Sequence, residues 1–415
     1  MTHCFWLLCL LLGVVTGSYG GKCNSLQYAD LFIGSSGFFF AYGSVSPAAQ
    51  IPYGAFRLGP DTSSTDLDLF LRHESGYNFR DTEVRAFSHT RLVGAGLSDF
   101  GNIGIMATRI PISAIDKVTE YHSWWSNWDK QSEYAEPGYY KVHLTKPNVL
   151  AEMTAGSTHS GVHRYTWGDD DSTNVPALLV DICHSASIQR PSACYDAKIM
   201  VDESMNSFSG EVLFSGLLSN WLTTSVRDRN NPRTNMKIYI VGEIQTPTGY
   251  SVSSWQLCKG THSMSSYGNE SEEGEIEDSG RDHEVTCRTI YKTSSDLSSN
   301  GAVVDMMEHS KSGILYARAV LTASTPNTGV DSEDISVEIQ VGISFISVAN
   351  ARGNLKKSQQ NIHEQSHSDT SNNLPTSSFD STRSFATTVW CDEFAHINID
   401  VDDQLANARE TLISL

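Results

Sequence analysis

The sequence predicts an all-β protein, built as one large β-sandwich and followed by a short helical segment. Between residues 26 and 350, short apolar or alternating runs are separated by Gly, Pro, Asn and Asp, which is typical of a sandwich of antiparallel sheets. Long helical periodicity is absent from this region. Because all-β sandwiches can exceed about two hundred residues without dividing, we expect a single domain over residues 21–350.

Seven runs show the predicted strand pattern most clearly. They are residues 140–144, 149–153, 162–167, 177–182, 237–241, 314–321 and 336–345. The sequence contains no internal repeat.

The first twenty residues are expected to form a secretory signal peptide. An apolar run over residues 5–15 precedes small residues, and Ser18 and Gly20 frame a signal-peptidase site. The run is shorter than the about 20 apolar residues that span a bilayer, and no later run approaches that length. We therefore expect a secreted or lumenal protein, in the endoplasmic reticulum, the lysosome or the extracellular space. No membrane partner is expected. An uncleaved N-terminal helix is the alternative.

Six cysteines remain after the signal peptide, and an even number in an oxidising compartment predicts disulfides. We expect Cys183 to pair with Cys194 and Cys258 with Cys287, because each pair brackets a short polar stretch. Other connectivities stay open. No C-x-x-C motif occurs, which argues against a zinc site.

The formal net charge of -19 excludes a general polyanion binder, so no nucleic-acid partner is expected. Much of the acidic excess lies in residues 269–284, which pack Glu, Asp, Ser and Gly together and predict a solvated insertion loop. Asn269 begins the only N-glycosylation sequon of the sequence.

Residues 351–415 are expected to hold a linker and the start of a helical domain. A helix is predicted to open at residues 351–355, whereas the Ser, Asn, Gln and His of residues 358–384 predict a linker. Residues 400–415 place apolar side chains near helical spacing without a breaker. This last segment has no core of its own, so we expect it to pack against something else.

An ordered series of short motifs runs through the chain. It comprises YADLFIG at 28–34, PYGAFRLGPD at 52–61, SGY at 75–77, FSHTRLVGAG at 87–96, SDFGN at 98–102, PGYY at 137–140, EMTA at 152–155, HRYT at 163–166 and VGISF at 341–345. By this series the chain resembles glycoside hydrolase family 92, a family of α-mannosidases. The resemblance covers most of residues 28–355, apart from the acidic loop.

The resemblance implies a carbohydrate-binding sandwich of the galactose-mutarotase-like type, joined in full-length members to an (α/α)6 toroid, with the active site between the two. It implies calcium-dependent, inverting exo-α-mannosidases that act on N-glycan and related mannosides, with the acid and base carboxylates on the toroid. The toroid motifs have no match here. The chain thus resembles the N-terminal half of an animal-type member, truncated before the toroid and inactive alone, and its calcium ligands are not identifiable.

Inverting glycosidases need two carboxyl groups roughly 6.5–9.5 Å apart, one protonating the leaving oxygen and one activating water. The sequence nominates no such pair. Acidic residues of the motif-rich first hundred residues are expected instead to serve as turn or cap residues. They are Asp61, Glu74, Asp81 and Asp99.

Residues 87–102 are the strongest candidate for a sugar site, because they combine polar side chains with glycines that let a ligand approach the backbone. The predicted mannoside contacts include hydrogen-bonding groups and an aromatic face. They are Tyr77, His89, Thr90, Arg91, Gly94, Gly96 and Asp99. The alternative is that the glycines only shape a turn and that His89 is an interior histidine.

Three tryptophans, Trp124, Trp125 and Trp128, are either a sugar platform or part of the core or a domain interface. Family members commonly carry a tryptophan soon after the Pro-Asp motif, where this chain has residues 66–70, DLDLF. This departure puts recognition of the leaving group in doubt.

Three functions remain open: half of a mannosidase that forms one wall of a mannoside site, a free-standing lectin-like binder of mannose-containing glycans, or a pseudoenzyme that recruits a docking partner. If residues 87–102 face the missing toroid, we expect an apolar docking patch there. His89, Arg91 and Asp99 would lie near its polar centre.

Overall fold

The computed structural model describes residues 26–36, 44–63, 75–94, 100–118, 123–169, 173–186, 193–215, 236–261, 284–292, 307–310, 314–323, 334–368 and 378–396. The strands are β1 (Gly59–Ser63), β2 (Glu83–Ser88), β3 (Gly104–Pro111), β4 (Ser126–Glu136), β5 (Tyr139–Leu144), β6 (Val149–Ser157), β7 (Ser160–Trp167), β8 (Asn174–Asp181), β9 (Ala193–Val201), β10 (Ser207–Ser215), β11 (Met236–Gln245), β12 (Tyr250–Thr261), β13 (Glu284–Tyr291), β14 (Met307–Ser310), β15 (Ile314–Ala323) and β16 (Ile335–Ser344). The helices are α1 (Val348–Ser368) and α2 (Ser378–Phe394), with short 3₁₀ turns at Leu26–Tyr28 and Ile112–Ala114.

The described strands form one antiparallel ladder in the order β13-β12-β15-β8-β3-β2-β4-β5-β6-β7-β16-β11-β10-β9-β14, with β1 paired to β2. The ladder turns at β4, whose start pairs with β2 and whose remainder pairs with β5. The two halves face each other. The Trp167 indole of β7 donates to the Thr108 carbonyl of β3 at 3.1 Å, and the Tyr165 hydroxyl oxygen lies 3.2 Å from the Ile105 carbonyl oxygen. The ladder closes as a sandwich, which confirms the predicted fold class.

The strand predictions are also confirmed. All seven predicted runs fall in strands, and only 177–182 and 336–345 extend one residue beyond β8 and β16. Strand β5 alternates buried and partly buried residues, whereas the first eight residues of β15 are all buried. The alternating strand covers the core with one face, and the continuously apolar strand is covered on both faces.

Large aromatic rings fill the space between the two halves. Trp167, Tyr165 and Trp255 are fully buried, and the Trp255 indole donates to the Met205 carbonyl at 2.8 Å. Such a ring buries about 150–250 Å². At about 25 cal/mol per Å², each contributes at most about 4–6 kcal/mol.

The three neighbouring tryptophans belong to this core rather than to an open platform. Trp124 and Trp128 are buried, and Trp125 packs against the core from a partly buried position. The Trp128 indole donates to the Asp81 carbonyl at 3.0 Å. Their burial supports the alternative in which these tryptophans belong to the core rather than to a sugar platform.

Both expected disulfides are present. Cys183 and Cys194 are joined with a Cα–Cα distance of 5.4 Å, and Cys258 and Cys287 lie directly opposite each other on β12 and β13. Cys391 of α2 is also disulfide-bonded, which local spacing did not predict. Cross-links of this kind stabilise the fold mainly by constraining the unfolded chain.

The helices correct the predicted linker. Residues 351–355 lie in α1 as expected, but residues 358–368 and 378–384 are also helical, so the linker prediction is wrong there. Helix α1 buries a narrow stripe of Ala351, Leu355 and Ser358 against the sheet. Strand β16 makes room at Gly342, where an added Cβ would overlap the Ala351 carbonyl. Packing rather than composition stabilises such a polar helix, so composition did not reveal it.

Ion pairs link helix α2 to the same outer face. Arg164 of β7 lies 2.8 Å from Glu152 of β6 and 2.9 Å from Asp380 of α2. Arg383 of α2 lies 2.7 Å from Glu136 of β4. These contacts join the second half of the sandwich to the helix.

Several predictions concern residues that the structure does not describe. They are the signal peptide, the acidic loop with Asn269, residues 66–70, Glu74, and the helical segment at residues 400–415. Among the helices that are described, none has the length and apolar character needed to cross a membrane.

Candidate functional site

Residues 100–103, at the end of the predicted site segment, have an unusual backbone conformation. The φ angle is 66° at Phe100, 62° at Gly101 and 61° at Ile103. Positive φ is uncommon outside glycine and is a true outlier for a β-branched residue. At Gly101 an added Cβ would overlap Ala186. Such strain persists only where the surroundings hold it and clusters at functional sites, so residues 87–103 form the candidate site.

Two predicted binding residues, His89 and Thr90, hold this strained segment. The Nδ1 atom of His89 lies 2.7 Å from the Ile103 carbonyl oxygen. The Thr90 hydroxyl accepts a hydrogen bond from the Asn102 amide at 3.0 Å. Both side chains are buried, so their polar atoms are engaged by the protein itself.

Arg91, a third predicted binding residue, lies in a buried ionic cluster. Its Nη2 atom is 3.1 Å from Asp61 Oδ1, and His184 Nε2 is 2.8 Å from Asp61 Oδ2. Arg91 also donates to the Pro60 carbonyl at 2.7 Å and to the Ser88 hydroxyl at 3.1 Å. Burial by itself raises the pKa of the Asp61 carboxyl, but Arg91 and His184 outweigh this effect and the pKa is lowered. The cluster therefore holds an ionised carboxylate.

Asp61 corrects the turn or cap role that the sequence suggested. It lies within β1, whose residues are all buried, where it forms an ion pair with Arg91 and a hydrogen bond with His184. His184 was not predicted. It stands 123 positions from Asp61, so no local pattern could connect the two.

A second buried chain of polar groups starts at His89. Its Nε2 atom lies 2.9 Å from Nε2 of His163, whose Nδ1 lies 3.0 Å from the Tyr165 hydroxyl. Because His89 Nδ1 faces the Ile103 carbonyl, it carries the proton, and His89 Nε2 accepts from His163. Burial lowers the pKa of His89 to about 4, and burial together with the His89 ring holds the pKa of His163 well below its usual value. Both rings are therefore neutral at neutral pH.

Tyr77, proposed from the sequence as an aromatic face for a sugar, lies in the core. Its ring is fully buried and meets Trp128 edge to face at 6.0 Å. Its hydroxyl donates to Glu133 at 2.9 Å and accepts from Lys130 at 2.9 Å. Burial, followed by the Glu133 carboxylate, raises the pKa of Tyr77 above its usual value. The ring therefore serves packing, with no face open in the described structure.

The remaining predicted contacts are Gly94, Gly96 and Asp99. Gly94 is exposed with a φ of 72°, so it shapes a turn at the surface. Gly96 and Asp99 lie outside the described residues. The expected apolar patch with His89 and Arg91 at its polar centre is corrected, because both side chains are buried. Their partners are protein groups, which explains why they lie inside.

Charged side chains near the sandwich core are paired rather than free for acid–base chemistry. Like Asp61, two further carboxylates lie against cations. Glu133 is 2.5 Å from Lys130, and Glu152 is 2.8 Å from Arg164. Within the described residues, no group of three or more His, Cys, Asp or Glu side chains is placed to hold a metal ion. The described arrangement can fix a backbone segment, and these three carboxylates lie against cations.

Comparisons with known proteins relate this arrangement to one enzyme family. Residues 28–315 match the profile of the glycosyl hydrolase family 92 N-terminal domain. A comparison with curated proteins gave no match. A family 92 α-mannosidase from Bacteroides thetaiotaomicron has a similar structure, with a TM-score of 0.58 at 20% identity over 94% of this chain and 40% of that chain. A family 92 inverting mannosidase from the same organism gives a TM-score of 0.55 at 14% identity over 94% and 39%.

The first of these enzymes has also been solved with mannoimidazole, with a TM-score of 0.58 at 20% identity over 94% of this chain and 39% of that chain. At these identities the likeness shows a shared fold. The chain spans about two fifths of the length of these enzymes.

Proposed function

Since the chain belongs to glycosyl hydrolase family 92, whose N-terminal domain its residues 28–315 form, we propose that it provides one wall of the mannoside-binding site of an α-mannosidase. The match over those residues is the observation that carries this proposal. The solved enzymes of similar fold are described as mannosidases, and one holds mannoimidazole. They support mannosides as the class of ligand.

The strained segment supports a role in binding. His89 and Thr90 hydrogen-bond to the backbone of residues 103 and 102, and Arg91 forms an ion pair with Asp61. Residues 100–103 are themselves buried, so they support ligand contacts at neighbouring residues. Order that exists before binding reduces the entropy lost on binding. The buried side chains then act as supporting residues. Gly94, Gly96 and Asp99 remain the proposed ligand contacts.

We further propose that the chain does not hydrolyse mannosides on its own. An inverting glycosidase needs a carboxyl group that is protonated before it reacts. The pKa of Asp61 is lowered, which is the wrong direction for a general acid, and Glu152 accepts two hydrogen bonds from Arg164. The described carboxylates thus suit structure better than proton donation.

The finer assignments rest on the family resemblance and on the N-terminal sequence. We propose exo-acting, inverting hydrolysis of N-glycan-type mannosides by the whole enzyme, in a secreted or lumenal compartment, with glycosylation at Asn269 and a docking partner on the site-bearing surface. Calcium is proposed for the whole enzyme only. The described residues offer no cluster that fits the ion, so we assign no step to it here.

Two measurements on the purified chain test the proposal. We expect methyl α-mannoside to bind, as measured by saturation-transfer NMR, and no mannose to be released from α-mannosides with calcium supplied. Absence of binding would refute the proposal that this chain provides one wall of the mannoside site. Turnover that disappears when one acidic residue of this chain is mutated would refute inactivity.

One further observation separates this proposal from the lectin-like alternative. Sequencing the native transcript beyond Leu415 into toroid motifs would support the mannosidase half. A stop codon there, combined with glycan binding by the chain, would favour a free-standing glycan-binding protein.

A further inference from the structure

A cavity of about 360 Å³ lies between the outer face of the sandwich and the two helices. It shares no lining residue with the candidate site at residues 87–103. Strands β7 and β16 contribute its floor, and α1 and α2 contribute its walls. The residues that matter here are Ser160, Gln340, Leu355, Ser358, Gln359 and Ile362.

Two buried polar side chains face this cavity with unused hydrogen-bonding capacity. Ser358 is only 4% exposed, and its hydroxyl has no hydrogen-bond partner among the described residues. Gln340 is 5% exposed; its Oε1 accepts from Gln359 at 2.5 Å, while its amide nitrogen donates to none of the described groups. Neither atom is fully enclosed by protein, so both are accessible from the cavity. A polar ligand in the cavity would satisfy both.

The cavity lining carries few ionisable groups. It contains no Lys, Arg, Asp or Glu side chain among the described residues, and it includes one imidazole, that of His363. The neighbouring carboxylate of Glu338 is already engaged, since it accepts from the Ser378 hydroxyl at 2.5 Å and from the Phe379 amide at 3.1 Å. A cation would find no carboxylate on these walls, and an anion would find only the His363 imidazole. The ligand chemistry that fits is therefore neutral.

Apolar side chains complete the lining. Leu355 and Ile362 come from α1, and Val162 comes from β7. A sugar ring presents hydroxyls at its rim and C–H groups on its face, so it matches a wall that is partly hydroxyl and amide and partly aliphatic. The volume lies near the lower end of the about 300–1,000 Å³ of small-molecule pockets.

We propose that this cavity is a second binding site, which takes a neutral polyhydroxylated ligand of the size of a single sugar ring. Its hydroxyls bind Ser358 and Gln340, and its apolar face lies against Leu355 and Ile362. The site does not depend on the mannoside site proposed above, because the two share no residue.

Methyl-resolved NMR of the full chain tests this directly. D-mannose and D-glucose are titrated as neutral probes, with D-glucuronate as the charged counterpart. The methyl signals of Leu355 and Ile362 should shift with either neutral sugar and respond more weakly to glucuronate. Unchanged methyl signals at about 50 mM sugar, far above the weak millimolar range, would overturn the proposal.

Substitutions in the cavity lining test whether the methyl shifts come from sugar bound in this cavity. Ser358→Ala and Gln340→Met each remove hydrogen-bonding groups that face the cavity and should weaken sugar binding about tenfold. Ser384→Ala, on an exposed position of α2, is the matched control and should bind as the native chain does. An equal response in all three variants would contradict the proposed site. Loss of the methyl response in Gln340→Met with intact binding of methyl α-mannoside elsewhere would separate this site from the mannoside site.

Discussion

Two arginine–carboxylate pairs in this molecule differ chiefly in their exposure. The side chains of Arg91 and Asp61 are both 0% exposed. Those of Arg383 and Glu136, between α2 and the sheet, are 37% and 30% exposed. Water can replace a lost partner at the second pair but not at the first. The buried pair therefore fixes the candidate site, whereas the exposed pair adds little to the attachment of the helix.

The largest effect is expected at the buried pair. Arg91→Met leaves the Asp61 carboxylate in the core without its guanidinium partner, which costs about 3–5 kcal/mol. We expect the free energy of unfolding, measured by urea denaturation, to fall by that amount. A loss below about 1 kcal/mol would show that water reaches Asp61 and that the buried cluster does not hold the site.

An intermediate effect is expected from pH. The pKa of His89 is lowered to about 4 in the fold, while an unfolded histidine titrates near 6.5. The unfolded chain binds more protons between these values, so stability should fall as pH decreases from about 6.5 to 4, by about 1.4 kcal/mol per pH unit for each such histidine. His163→Gln should reduce this pH dependence by up to the contribution of one histidine, about 1.4 kcal/mol per pH unit. An unchanged slope in urea denaturation would assign the acid sensitivity to other groups.

The smallest stability effect is expected at the exposed pair. Arg383→Met should lower the free energy of unfolding by about 0–1 kcal/mol, because exposed ion pairs are weak, with a small addition from the Arg383 guanidinium over the Tyr139 ring at 3.6 Å. The measurement is the same urea denaturation. A loss as large as that of Arg91→Met would erase the distinction between the two regions.

The sequence predicted the sandwich, its strands and both local disulfides because these features depend on residues that are near each other in the chain. It placed residues 351–355 in a helix correctly but predicted a linker for the rest of α1 and the start of α2, because a polar helix such as α1 depends on packing against β16. It also missed the partnership of Asp61 with His184, which only the folded topology brings together.

The sequence predicted where the site residues lie better than it predicted what their side chains do. His89, Thr90 and Arg91 do lie around the strained segment, but their polar atoms face protein groups. A sequence motif shows which residue types recur together; it does not show whether a side chain points inward or outward.

The central claim is that buried side chains hold residues 100–103 in a strained conformation, which supports the mannoside contacts proposed at Gly94, Gly96 and Asp99. Thr90→Val removes the hydroxyl that accepts from the Asn102 amide while keeping the shape of the side chain. Thr166→Val on β7 is the control. It removes a hydroxyl that donates to the Ser336 hydroxyl of β16 at 3.2 Å. The dissociation constant for mannoimidazole should rise about tenfold in Thr90→Val and stay unchanged in Thr166→Val. Equal affinity in the native chain and both variants would contradict the claim.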